Sequence, residues 1–298
     1  MSEHNQGFAY EEWVGPRTAG RSVLEHLAGR YRHSTVTEWA GRIRDGEVRL
    51  DGIRASSTDR LRAGQRLIWN RPPWREPWVP LGFAILYADA DVVAVAKPRG
   101  LPTVPAGGFL THTLFWEVRR RFPGAAPVHR LGRGTSGVVL FARSARARRS
   151  LARAWCAGQV ARVYLALVAG RPSRRRFAVD LSIGPVPHPL LGTVHGARAD
   201  GRPARTIVRT LRRNGPASLV EVRIETGRPH QIRIHLAAAG HPLVGDPLYG
   251  SGGLPRPGSR ALPGDGGYLL HAARLVFPHP ASAAPTTVEC APPPRLRP

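Results

Sequence analysis

The stretch VHRLGRGTSGVVLFAR, residues 128 to 143, decides how the rest of the chain is read. Gly132, Gly134 and Gly137 stand at the G-x-G-x-x-G spacing of a dinucleotide-binding turn. That turn works where a strand delivers the glycines to the first turn of a helix, whose free amides hold the pyrophosphate. Here the glycines run instead into VVLFA, an apolar, β-branched run that reads as a strand. The acid expected about twenty residues further on, for a ribose hydroxyl, has no candidate, because residues 144 to 170 contain no Asp or Glu. No dinucleotide is therefore expected. Ser136 has no G-x-S-x-G elbow around it, so a hydrolase triad is not expected either.

Outside this loop, charge narrows the candidates. The chain has 298 residues, enough for one large domain or for a large and a small one. Its 44 basic and 20 acidic side chains leave a formal net charge of +24. Such an excess favours a polyanionic partner, since each neutralised phosphate releases counterions, and RNA is the expected one. Cys156 and Cys290 are too few and too scattered for a disulfide framework or a Cys-rich zinc site. His230, His235 and His241 do not share a helix face as metal-binding pairs do, so no metal is expected. The first 20 residues lack an apolar core and no run of 18 apolar residues occurs, so a soluble, cytoplasmic protein without a membrane partner is expected; a monomer is expected as well. Every basic side chain except Lys97 is Arg. A compact ammonium is not interchangeable with a planar fork, which marks Lys97 as a candidate contact.

The pattern along the chain divides it. Residues 1–19 read as a loose lead-in. Over residues 20–70 a helical stripe, Val23, Leu24 and Leu27, is followed by alternation around the turn glycines Gly46 and Gly52. With Arg42, Arg44, Arg49, Arg54, Arg60 and Arg62, this segment resembles the small S-four-like RNA-binding module first known from a ribosomal protein. Residues 71–82 form a stiff Pro-rich linker. Trp69, Trp74 and Trp78, in or near it, are able to stack bases, although packing of the linker onto a domain is their expected use. Residues 83–282 are rich in strands, with helices expected at ARSARARRSLARAWCAG and HQIRIHLAAAG. Regular strand-helix alternation is missing, so an α+β fold is expected. Residues 283–298 read as a tail, whose last stretch, CAPPPRLRP, is expected to be disordered and basic.

Five segments, in order, carry a family resemblance. HRLGRGTSG is similar to the H-R-L-D-x-x-T-S-G signature of the RluA-type RNA pseudouridine synthases, with Gly132 at the Asp position. YADADVVAVAKPRGL, RVYLALVAG, ETGRPHQIRIHLAAAGHPLVGDPLYG and LLHAARLVFPHP resemble the family's other motifs. The resemblance implies a mixed, mainly antiparallel sheet flanked by helices and loops, and isomerisation of a flipped-out uridine in structured RNA, ribosomal or transfer. No cofactor is implied. It assigns the reaction to position 132, to Tyr164, which stacks on the base, and to an Arg that pairs with the acid, Arg233 being preferred to Arg228. Arg130 would fill the space the uridine vacates. His129, Thr135, Lys97, Arg228, Arg44 and Arg49 are the further expected RNA contacts.

Glycine has no side chain with which to attack or carry charge. Either another carboxylate reaches the site, with Asp89, Asp91, Asp180 and Asp246 as the candidates, or the chain is a weak or inactive member that acts as an RNA-binding protein or chaperone.

Overall fold

The computed structural model describes residues 4–31 and 33–297, and they form two compact units divided after Glu76. The N-terminal unit runs β1 (Phe8–Trp13), α1 (Val23–Arg30), α2 (Val36–Arg44), β2 (Val48–Leu50), β3 (Ile53–Arg54) and β4 (Arg66–Arg71). Both helices start where the sequence offers a capping box. Ser22 accepts from the Glu25 amide and Glu25 returns the bond, and Thr35 and Glu38 repeat the arrangement. Val23, Leu27, Trp39, Ile43 and Leu67 close the core against the sheet, whose order is β1-β4-β2-β3.

Two expectations change in this unit. Residues 8–13, placed in the lead-in, are an edge strand paired with β4 from Phe8↔Arg71 to Trp13↔Arg66. The start of the Pro-rich stretch is not a free spacer. Arg71 stacks on Trp74 at 3.5 Å, and Asn5 Nδ2 donates to the buried Glu76 at 2.8 Å.

The larger unit runs β5 (Ala84–Ala88), β6 (Val92–Lys97), α3 (Leu114–Arg121), β7 (Ala126–Pro127), β8 (Ser136–Ala142), α4 (Ala145–Cys156), β9 (Ala161–Ala169), β10 (Arg176–Asp180), β11 (Ile183–His188), β12 (Gly192–Ala197), β13 (Arg205–Asn214), β14 (Ala217–Ile224), α5 (Gln231–Ala238), β15 (Leu270–Pro278) and β16 (Pro285–Glu289). Its main sheet has the order β10-β13-β14-β9-β15-β8-β6-β5, with β16 on β15 and β7 on β8. The fold is α+β and the sheet is mixed but mainly antiparallel, the exception being the parallel contact of β8 with β15.

Period-two alternation sorts the side chains between two faces. Val93, Val95, Val139, Phe141, Tyr164 and Ala166 share one core with Ile232 and Leu236 of α5. Val92, Ala94, Val138 and Leu140 share the other with Ala147 and Leu151 of α4. The tail, whose last stretch was expected to be disordered, is instead ordered. Residues 285–289 pair with β15, and Leu296 is buried with Leu165 and Leu219. Apolar side chains this well covered give the C-terminus its place, contributing about 1.5–3 kcal/mol each.

Candidate active site

The glycine loop meets the strand β15 from below. Gly137 has φ +113°, and a Cβ on it would lie 2.2 Å from the Ala272 carbonyl oxygen. Any side chain there would break the parallel contact between β8 and β15. A Cβ on Gly134 would lie 2.8 Å from the Tyr268 ring. These two glycines serve close packing, and the strand after them confirms that no phosphate-binding helix begins here. Gly132 differs. It is exposed, and a Cβ on it would stand 3.2 Å from the Tyr268 hydroxyl and 3.8 Å from Thr135 Oγ1.

The neighbours of Gly132 hold the loop rather than face solvent. Thr135 is buried, its amide donates to Gly132 O at 3.0 Å, and its hydroxyl lies 3.3 Å from the Tyr268 hydroxyl. His129 accepts from the Leu140 amide through Nε2 at 3.1 Å and stacks on Trp155 of α4. Burial, helped by the charge of Arg162, pushes its pKa down to about 3, so it stays neutral. Lys97 is also buried. Its Nζ donates to the carbonyls of Pro98 and Leu101 and reaches that of Arg133 at 3.3 Å. Burial pulls its pKa to about 7, whereas three carbonyl acceptors match the three hydrogens of an ammonium. Thr135, His129 and Lys97 were expected as RNA contacts; the structure makes them props of the loop, because the Tyr268 hydroxyl, the Leu140 amide and three carbonyls already engage their polar atoms. Arg130 is exposed on the same loop.

Arg233, on α5, is the other anchor. Its Nε and Nη2 donate to the two oxygens of Asp246 at 2.7 and 2.8 Å, with both side chains buried, and its Nη1 donates to Pro263 O at 2.9 Å. The guanidinium also lies over the Tyr268 and Tyr249 rings at 4.3 and 4.9 Å. Asp246 further accepts from the amides of Leu248 and Tyr249. The Arg expected to pair with an acid at position 132 is thus paired with Asp246. Removing one partner of such a buried pair costs about 3–5 kcal/mol.

Next to it His230, with φ +55°, caps α5 and bonds the Tyr249 hydroxyl, which donates to His195 O. Burial and the charges of Arg233, His195 and Arg130 push its pKa down to about 3, outweighing Asp246. Gln231 is saturated, donating to Arg205 O and Thr206 and accepting from Thr226 and the Arg228 amide. Arg228 is half-buried and donates to Pro203 O.

Tyr164 is buried in β9, between Val222 and Ala272, in the same core cluster as Leu131, Ile232 and Tyr268. Burial pushes its hydroxyl pKa up, so the phenol is protonated at neutral pH. Position 132 and Arg233 therefore meet through Tyr268, while Tyr164 shares the core cluster of Leu131 and Tyr268. Arg44 and Arg49 are exposed in the N-terminal unit, and Arg49 donates to Gly52 O.

Two residues were missed. Tyr268 links the glycine loop to Arg233, and Asp265 lies 3.4 Å from the Arg133 guanidinium, whose Nε donates to Gly264 O. The signal was the run PGDGGY ahead of the closing strand, one acid among glycines. Trp78, expected to pack, is 85% exposed. Among the described residues no three His, Cys, Asp or Glu gather as a metal site, and no helix is long and apolar enough to cross a membrane.

Comparison with known proteins gives the family. Residues 91–238 match the family model described as RNA pseudouridylate synthase. The chain is 42% identical over 259 residues to an RNA pseudouridine synthase of Synechocystis, slr1592, covering 86% of this chain and 89% of that protein. It is 34% identical to the ribosomal large subunit pseudouridine synthase D of Xylella fastidiosa, covering 97% and 90%. Among solved structures, human RNA pseudouridylate synthase domain containing 1 superposes with a TM-score of 0.55 at 27% identity, covering 74% of this chain and 86% of that one. The chain belongs to the RNA pseudouridylate synthase family and is an RNA pseudouridine synthase, an isomerase.

Proposed function

We propose that the protein isomerises a flipped-out uridine in structured RNA, ribosomal or transfer, acting as a cytoplasmic monomer. Its N-terminal unit serves as an S-four-like module that holds RNA through Arg44 and Arg49. The observation that carries this reading is the convergence of the glycine loop, the Arg233–Asp246 pair and Tyr268, with Tyr164 in the core beside them.

Isomerisation breaks the N-glycosidic bond, turns the uracil and rejoins it through carbon. The uridine must first leave its stack. Arg130, exposed on the glycine loop, takes the vacated place, and Tyr164 forms the apolar floor against which the base lies. Arg233 holds its shape through Asp246 and positions the surrounding loops. Beside the glycine loop a hollow of about 200 Å³ is lined by Trp78, Arg99, Arg133, Gly134 and Gly266, a suitable place for flanking nucleotides. Phosphate contacts by arginines set register there, and stacking adds affinity.

The test uses ribosomal and transfer RNA carrying tritium at uracil C5. The full chain should release tritium, because C5 exchanges its hydrogen for the new bond to C1′. Tight binding of both RNAs without release of label would overturn the synthase reading and favour an RNA-binding role.

A further inference from the structure

Gly132 leaves the reaction without the carboxylate that the family resemblance places in this loop, and the fold narrows the search for a replacement. Asp246 is buried and its oxygens already accept from Arg233 and two amides, so it has no face left for a sugar. Asp89 accepts from the Tyr87 hydroxyl, His279 and two amides on the turn before β6. Asp91 pairs with Arg146 of α4 at the Ala142 end of β8, away from the glycine loop, and Asp180, on the edge strand β10 four strands from β15, pairs with Arg205.

Asp265 is placed differently. One carboxylate oxygen accepts from the Leu262 amide at 2.8 Å; the other lies 3.4 Å from the guanidinium of Arg133, the residue that follows Gly132. Its own loop is tied to both halves of the site. Gly264 O accepts from Arg133, Pro263 O accepts from Arg233, and Tyr268 puts its hydroxyl 3.2 Å from where a Cβ on Gly132 would be. The side chain is 40% exposed and its contact with Arg133 is long, so unlike Asp246 it presents a face to solvent. Gly264 and Gly266 flank it, and no backbone crowds either of them, which gives this part of the loop the freedom to deliver it.

We propose that Asp265 is the catalytic carboxylate of this enzyme, reaching from the loop before β15 into the place left open at Gly132. The assignment rests on the synthase reading. The Asp265 carboxylate attacks C1′ of the flipped uridine; the C1′–N1 bond breaks and its electron pair leaves with the uracil as the N1 anion. The uracil turns and C5 bonds to C1′ as the carboxylate–C1′ bond breaks, which restores Asp265. The C5 hydrogen departs to water as a proton and N1 takes up a proton, so the product is an isomer of the substrate.

Asp265→Asn keeps the size and the Leu262 bond while removing the charge. In the full chain it should lower tritium release from the labelled RNAs by about 10³-fold or more, with RNA affinity unchanged within about threefold. Asp265→Glu should retain measurable release. An Asp265→Asn protein that binds RNA normally and releases label within tenfold of the unaltered chain overturns the assignment alone. Failure of the unaltered chain to release label from any of these RNAs overturns the synthase reading and the assignment with it.

Discussion

Gly132 and Gly134 lie two positions apart, and what stands behind each separates them. A methyl group on Gly134 would meet ring carbons of Tyr268, a buried side chain stacked under Arg233, with nowhere to retreat. On Gly132, an exposed residue, it would meet the tip of the Tyr268 hydroxyl and, at ordinary contact distance, Thr135 Oγ1. Gly134→Ala should therefore lose about 1–3 kcal/mol by overpacking, and Gly132→Ala less than about 1, as measured by urea unfolding. Equal losses at the two positions would contradict the placement of Tyr268. The spacing of the glycines was legible in the sequence. Their purpose was not, because Tyr268 and Ala272 come from more than a hundred residues downstream, and only the tertiary fold brings them close.

At the scale of elements, β8 and α4 are held together partly through a histidine kept neutral. His129 accepts from the Leu140 amide of β8 and stacks on Trp155 of α4, and protonation would destroy the acceptor. Its pKa is about 3 in the fold, as is that of His230 at the start of α5, against about 6.5 in the unfolded chain. Both are depressed, so the unfolded state binds more protons between these values. Their contribution is complete above pH 6.5 and is lost as pH falls towards 3, by about 1.4 kcal/mol per pH unit for each histidine. The loss of stability between pH 6 and 4 should be shallower in His129→Gln, by about that amount per unit; an unchanged slope would show that His129 is charged in the fold. The helices α4 and α5 and the strands β8 and β9 were legible from apolar periodicity. β1 and β16 were not, because each is a short, mostly exposed strand held extended by the neighbour it pairs with.

For the whole molecule, the net charge of +24 sets the expected response to salt. RNA affinity should fall steeply as salt rises, because binding releases counterions. Trp78, 85% exposed beside the hollow at Gly134 and Gly266, should contribute by stacking, which salt does not screen. Trp78→Ala is accordingly expected to weaken binding about 5- to 100-fold while leaving the slope against log salt unchanged, measured by filter binding. A changed slope with unchanged low-salt affinity would mean that Trp78 only orders nearby arginines. The family and the α+β class were determined by the sequence, since motif spacing and two-residue alternation are local properties. Which polar groups face inward was decided by the tertiary structure alone: Lys97, His129 and Thr135 look like ligands in a list of residues and become props once carbonyls, the Leu140 amide and the Tyr268 hydroxyl, respectively, engage them. The same holds for Asp265. It became visible as the acid beside the glycine loop when folding set Arg133 against it, because an ion pair across 132 positions leaves no pattern in the order of residues.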